Sequence, residues 1–440
     1  MVYHQLIFVF VFLPVYLIGS LLLREPQAKN LLSAGLSLVF LVWGRPVYFA
    51  LIIINIFLAY LAGRLQDSKT GRRLRLAAAV LNTLSVLPGA FYLAAKNDLS
   101  GGIAAVGLMG FALRQALYLL YTERPEKSPL RLTVYLISFE FMCVSPVLGY
   151  DQLRDELVKR RRPGLAELKA GLTRFIFGLG AAGVIGLGLD RLRLLALHTQ
   201  PVPWMDGIFG LLIGFIEIYA AAIAYISMSE GLCLMSGYRI RCWDSCFMPR
   251  PRMKNHLGYI WLTASAQLSR LLCGMSGYKL AGLCAVMCII IGAAHGLGAG
   301  AVGLLACILL AMLLEELFEL KGTPAGFITY LLLIAGLTLC TVCGSEGLSG
   351  LFSSLAPGSY DFDISYLFDS ELSRLYPIII LGIIYCSPLK PMLSRLARRL
   401  GSRSPGYPII RLLTAAALCA VIIVYLAAYS SFAVSGGAAL

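Results

Sequence analysis

Among the titratable side chains inside apolar runs four stand out, since burial obliges each to be paired, hydrogen-bonded or functional. They are Glu140 in LISFEFMCV, Glu217 in GFIEIYAA, Arg270 in QLSRLLCG and His295 in CIIIGAAHGLGAGAVG. Either glutamate fits a proton relay or a hydrogen bond between helices, and Arg270, near the end of its run, can snorkel or pair with a glutamate. His295 is flanked by Gly292, Gly296, Gly298 and Gly300. An imidazole takes a proton from a hydroxyl near neutral pH, and the glycines would let the helix open around it, as a substrate passage requires. A histidine in an apolar run also serves as a hydrogen-bond partner between helices. The residues alone therefore leave transporter, channel, transferase and scaffold open. The cysteine spacings Cys340/Cys343 and Cys242/Cys246 do not make a zinc site, which needs four ligands at module spacing; the sequence predicts small buried hydrophobes and no metal.

The elements that must hold these groups are apolar. Of the 440 residues, 59% are hydrophobic and 14% charged, with a mean hydropathy of +0.80. A soluble domain carries about 25% charged residues, so a soluble enzyme, a disordered chain and a disulfide scaffold are excluded. The net charge of +14 comes from Lys and Arg beside apolar segments, the pattern of cytoplasmic retention. It is not a basic stripe with interleaved aromatics, so nucleic acid is not expected as a partner. Motifs for ATP hydrolysis, serine esterases and zinc proteases are absent.

Apolar runs fall at 6–23, 31–43, 46–63, 76–95, 101–121, 129–149, 171–189 and 206–228, then at 257–273, 279–297, 299–314, 324–343, 375–386 and 407–429. The first lacks the basic start of a signal peptide and is expected to be a retained span. A crossing needs about 20 residues, and several runs are short or interrupted. The expectation is an all-α polytopic membrane protein of roughly 11 transmembrane helices plus re-entrant and amphipathic ones. The basic stretches 64–75, 154–162 and 390–411 should face the cytoplasm, and the acidic stretch 345–374 the other side. Residues 151–170 are expected to form an amphipathic helix on the inner surface, followed by another.

Several segments resemble the membrane-bound O-acyltransferase family, in the bacterial branch of alginate O-acetylation and teichoic-acid D-alanylation subunits. Phe12, Leu13 and Pro14, then Trp43, Gly44, Pro46 and Tyr48, match the F-L-P and W-G-x-P-x-Y of its opening. Ile218, Tyr219, Tyr225, Met228 and Gly231 match its middle segment, Trp261 and Arg270 its W-H-I-S-type segment, and YLFDSEL and AAYSSF its closing ones. His295, in AAHGLG ahead of an apolar helix running to Glu315, falls on the family's membrane-embedded histidine. The departures are Leu262 for the second histidine, Ala221 and Ser227 for aspartates, Ala294 for the tryptophan before the histidine, and Ala181 and Ala182 for paired lysines.

The resemblance implies one domain over residues 1–440, with helices around a central funnel in the bacterial inner (cytoplasmic) membrane. It implies transfer of a small acyl group, acetyl foremost, from a cytoplasmic thioester to hydroxyls of an extracytoplasmic polysaccharide or wall polymer. The donor would be acyl-CoA or an acyl carrier thioester, with no tightly bound cofactor. His295 would be the catalytic base, with Glu217, Tyr225, Trp261 and Arg270 lining the channel. Membrane lipids and a second extracytoplasmic or membrane protein are expected partners. Two rival readings are a catalytically degenerate scaffold of a polysaccharide complex and a proton-coupled lipid or acyl transporter using Glu140 and Glu217.

Overall fold

The N-terminal run begins as a widened π-helical turn, Phe8–Phe12, and passes directly into α1, Leu13–Leu22. Pro14 lies in the first turn of α1 and has no N–H to give to the turn before it, where the ladder is already loosened. The computed structural model describes residues 3–239 apart from short breaks, the longest at 142–148 and 193–203, together with 299–317, 376–385 and a few positions between 332 and 339. Every regular element among the described residues is helical.

After α1 come α2 (Pro26–Val42), α3 (Val47–Gly63), α4 (Lys69–Ala94), α5 (Leu99–Tyr121), α6 (Pro129–Ile137) and α7 (Tyr150–Val158). Next are α8 (Leu165–Gly180), prolonged by a π-helical stretch Ala181–Gly186, then α9 (Trp204–Met235), α10 (Ala299–Leu317) and α11 (Tyr376–Tyr385). Leu165–Gly186 and Leu212–Met235 are long and apolar enough to cross a membrane, and Phe8–Leu22, Tyr48–Gly63, Gly107–Leu120, Val302–Leu314 and Tyr376–Tyr385 are shorter apolar helices.

Two structural units divide the described residues. The first holds 3–175 and 229–239; the second holds 176–228, 299–317 and 376–385. In the first, α4 packs most extensively on α5, and α2 on α6. Its core includes Ile52, Val86, Phe111, Leu132, Val134, Leu136 and Leu157. Here α8 meets α9 through glycine: a Cβ on Gly231 would stand 2.5 Å from the Gly171 carbonyl oxygen. Small residues allow such approach where apolar side chains gain nothing over lipid. In the second unit Gly178 lies as closely on Ala224 of α9, and Gly382 of α11 rests on Ile216, Ile185 and Leu189.

Within the run 129–149, α6 stops at Ile137: Ser138 leaves the helical region at ψ 122°, and among the described residues a 3-10 turn, Phe139–Phe141, follows. One expectation needs correction. Helix α7 is amphipathic, but Tyr150, Leu153 and Leu157 are buried in the core of the first unit, so its apolar face meets protein rather than lipid. The expected loops 345–374 and 390–411 lie outside the described residues.

Candidate functional site

The break after α6 frees buried backbone groups, which need partners from elsewhere in the protein. Three of them are met by side chains. Ser37 Oγ accepts from the Phe139 N–H at 3.1 Å, and the Tyr3 hydroxyl donates to the Phe139 carbonyl. Ser229 Oγ at 2.6 Å and Cys233 Sγ at 3.3 Å both donate to the Glu140 carbonyl. The Phe139 ring stands edge-on to Phe12 and Tyr16, with centroids 5.2 and 4.9 Å away, an arrangement favoured by the ring quadrupole.

The same turn places the Glu140 carboxylate at the centre of a buried polar knot. Its Oε1 accepts from the Tyr16 and Ser33 hydroxyls and from Arg160 Nη2 at 3.1 Å; Ser138 donates to Oε2. Both members of the Glu140–Arg160 ion pair have side chains 0% exposed. The guanidinium is fully used: Nη1 donates to the Lys29 carbonyl at 3.1 Å and to Asn30 Oδ1 at 3.3 Å, Nη2 also to the Tyr16 hydroxyl at 2.7 Å, and Nε to the Ser236 carbonyl at 3.5 Å. Its carbon lies 4.5 Å from the centre of the Tyr238 ring, within cation–π range. A buried pair repays its desolvation only with this kind of surrounding hydrogen bonding.

Local backbone builds the Arg160 side of the knot. Helix α9 ends in a Schellman turn, with Tyr238 N–H on the Cys233 carbonyl at 2.9 Å, Gly237 N–H on the Leu234 carbonyl at 3.2 Å, and Gly237 at φ +85°. A Cβ on Gly237 would meet the Arg161 carbonyl oxygen at 2.3 Å. Glycine there satisfies both the left-handed backbone and the close approach of the 160–163 segment.

A second polar centre ties the ends of α5, α6 and α7. Glu126 accepts from the Tyr150 hydroxyl, from the Ser128 N–H at 2.8 Å and from Arg131 Nη2 at 2.6 Å. Burial alone would raise this carboxyl, but the bonds from Tyr150, Ser128 and Arg131 outweigh it and hold it below the usual glutamate range. Burial, reinforced by the hydrogen bond to Glu126, pushes the Tyr150 hydroxyl up.

Of the predicted site residues, Glu217 and Tyr225 are both buried on α9 in the second unit. His295, Trp261 and Arg270 lie outside the described residues, as do Cys242, Cys246, Cys340 and Cys343. The sequence singled out Glu140 but missed its partner. Arg160 belongs to a basic segment expected to face the cytoplasm and is instead buried, and nothing in the run Arg160-Arg161-Arg162 marks which of the three turns inward. Among the described residues no group of three or more His, Cys, Asp or Glu is placed to hold a metal ion.

No family model matches the chain. The chain is 26% identical over 251 residues to a protein of Pseudomonas fluorescens named "probable alginate O-acetylase AlgI", covering 54% of this chain and 50% of that protein. It is 27% identical over 267 residues to the protein of the same name in Pseudomonas syringae pv. tomato, with the same two coverages. The chain thus spans about half the length of the curated relatives it matches. Both relatives are named for the O-acetylation of alginate.

Proposed function

We propose that the chain is an O-acyltransferase of the cell membrane that passes a small acyl group, acetyl foremost, to hydroxyls of a polysaccharide. The observation that carries this reading is the similarity to two proteins named for O-acetylation of alginate. The broken helix around Glu140 supports it. Backbone groups freed by the break are bonded to side chains, as the interior of a membrane protein requires.

In this reading residues 1–440 form one domain of roughly 11 crossings around a funnel in the bacterial inner membrane. The donor is a cytoplasmic thioester, of coenzyme A or of a carrier protein, and the acceptor lies on the other side. His295 takes the proton of the acceptor hydroxyl as its oxygen attacks the thioester carbonyl. The tetrahedral intermediate then expels the thiolate, which regains a proton, leaving an ester on the polymer. Glu217, Tyr225, Trp261 and Arg270 line the passage, and an extracytoplasmic partner protein receives or completes the transfer. The transporter alternative is disfavoured by the commitment of Glu140 to Arg160 and three hydroxyls, which leaves that carboxylate no role as a mobile proton site.

The test is base-labile acyl content of the surface polymer, by mass analysis, in cells carrying the intact chain, His295→Ala or no copy. Acyl groups should disappear in both of the latter. Wild-type acylation with His295→Ala, at equal protein level in the membrane, refutes His295 as base and leaves the scaffold reading.

A further inference from the structure

We propose that the connection after α1 and the 159–163 segment together form a binding site for a phosphate group. The floor is Lys29, 1% exposed, whose ammonium donates to the Arg161 carbonyl at 3.1 Å and has no carboxylate partner among the described residues. An ammonium carries three N–H donors, and among the described residues that carbonyl is the one acceptor it meets. The rim is Arg161 and Arg162, both exposed. Arg162 Nη2 reaches across to the Leu22 carbonyl at 3.3 Å, which places its guanidinium over the α1–α2 connection that also carries the exposed Arg24.

The local charges do not balance. Glu140 is spent on Arg160. Glu167 accepts from the Gly164 N–H at 2.9 Å and from Arg239 Nε at 3.1 Å and offsets part of the Arg161 charge, which leaves Arg24, Lys29 and Arg162 facing Glu25 alone. Glu25, exposed at the N-cap of α2, makes no side-chain cap bond. Burial, with Arg160 and Arg162 adding to it, holds the Lys29 ammonium below the usual lysine range. The α2 N-terminus, with no acidic residue in its first turn, adds its positive pole to the same corner. Arginine forks with a lysine beneath them recognise phosphate rather than an uncharged group. Such a phosphate is supplied either by a soluble phosphate ester or by an anionic lipid headgroup. The site stands whether or not the chain transfers acyl groups.

The experiment uses the full-length purified chain in neutral detergent and in nanodiscs, titrated with pyrophosphate against chloride at matched ionic strength. A parallel arm compares phosphatidylglycerol nanodiscs with phosphatidylcholine ones. The readout is the thermal unfolding midpoint. Pyrophosphate should raise it saturably where chloride does not, identifying a soluble ester as the source; a rise with phosphatidylglycerol alone identifies the lipid. Arg161→Gln/Arg162→Gln, confined to exposed positions, should weaken the response about tenfold, as loss of charged hydrogen bonds does. Glu25→Gln should strengthen it. Lys29→Met should abolish it, and the rim variant covers the case in which that chain fails to fold. No saturable rise with either source, or a rise unchanged in the rim variant, overturns the proposal.

Discussion

Replacing Glu140 by Gln keeps the shape of the knot and removes its one negative charge, leaving the guanidinium of Arg160, 0% exposed, without a counter-charge. Breaking a buried pair from one side costs about 3–5 kcal/mol, because the survivor is stranded rather than because the pair itself is strongly favourable. Arg160→Met strands the carboxylate instead, and takes a donor from the Ser236 carbonyl at the end of α9. Its cost should fall in the same range of about 3–5 kcal/mol. The double variant strands no charge. Its loss should therefore fall short of the summed single losses by about 3 kcal/mol, the upper end for groups in direct contact. Unfolding midpoints of the four purified chains, measured by denaturant titration in mixed micelles with tryptophan fluorescence, close the cycle. Additive losses would show that Glu140 and Arg160 do not act as a pair, and the account of the knot would fall.

Three further outcomes are expected. Gly237→Ala should destabilise by at least about 1–2 kcal/mol, the penalty of a left-handed backbone on an L side chain. The Cβ contact of 2.3 Å with the Arg161 carbonyl adds to that, and a midpoint within error of wild type refutes it. His295→Ala should abolish polymer acylation without lowering the unfolding midpoint in parallel, which separates loss of a base from loss of fold. Glu126 sits below the usual glutamate range, so the unfolded chain takes up its proton first as the solution is acidified. Its contribution is complete above about pH 4.5 and is lost as pH falls through its folded value. Tyr150→Phe removes one bond that holds this carboxyl down. The gap in midpoint between wild type and that variant should thus narrow on going from pH 6 to pH 3, and a constant gap counts against the assignment.

The helices were legible because a long apolar run bounded by Gly, Pro and charge has few alternatives to a helix. The runs 46–63, 101–121 and 206–228 return as α3, α5 and α9 with ends shifted by a few residues or, for α9, one to two turns. The break in 129–149 was not legible. Composition continues unbroken through FEF, and what stops α6 is the supply of partners from elsewhere: Ser37, Tyr3, Ser229 and Cys233. Hydropathy along the chain carries no record of hydroxyls arriving from other helices.

The same limit explains why Glu140 could be singled out while its role stayed open. A glutamate in an apolar run announces that something must compensate it, and that much is local physics. Whether the compensation is a mobile proton or a fixed cation depends on which distant residue folds inward. Arg160 and Arg162 are equivalent in a hydropathy profile, yet one is buried against Glu140 and the other is exposed against the Leu22 carbonyl. Gly237, whose missing side chain lets the α9 terminus sit against the Arg161 carbonyl, holds the backbone between the two. Which of three adjacent arginines neutralises the buried acid is therefore a matter of close backbone approach, which a hydropathy profile does not record.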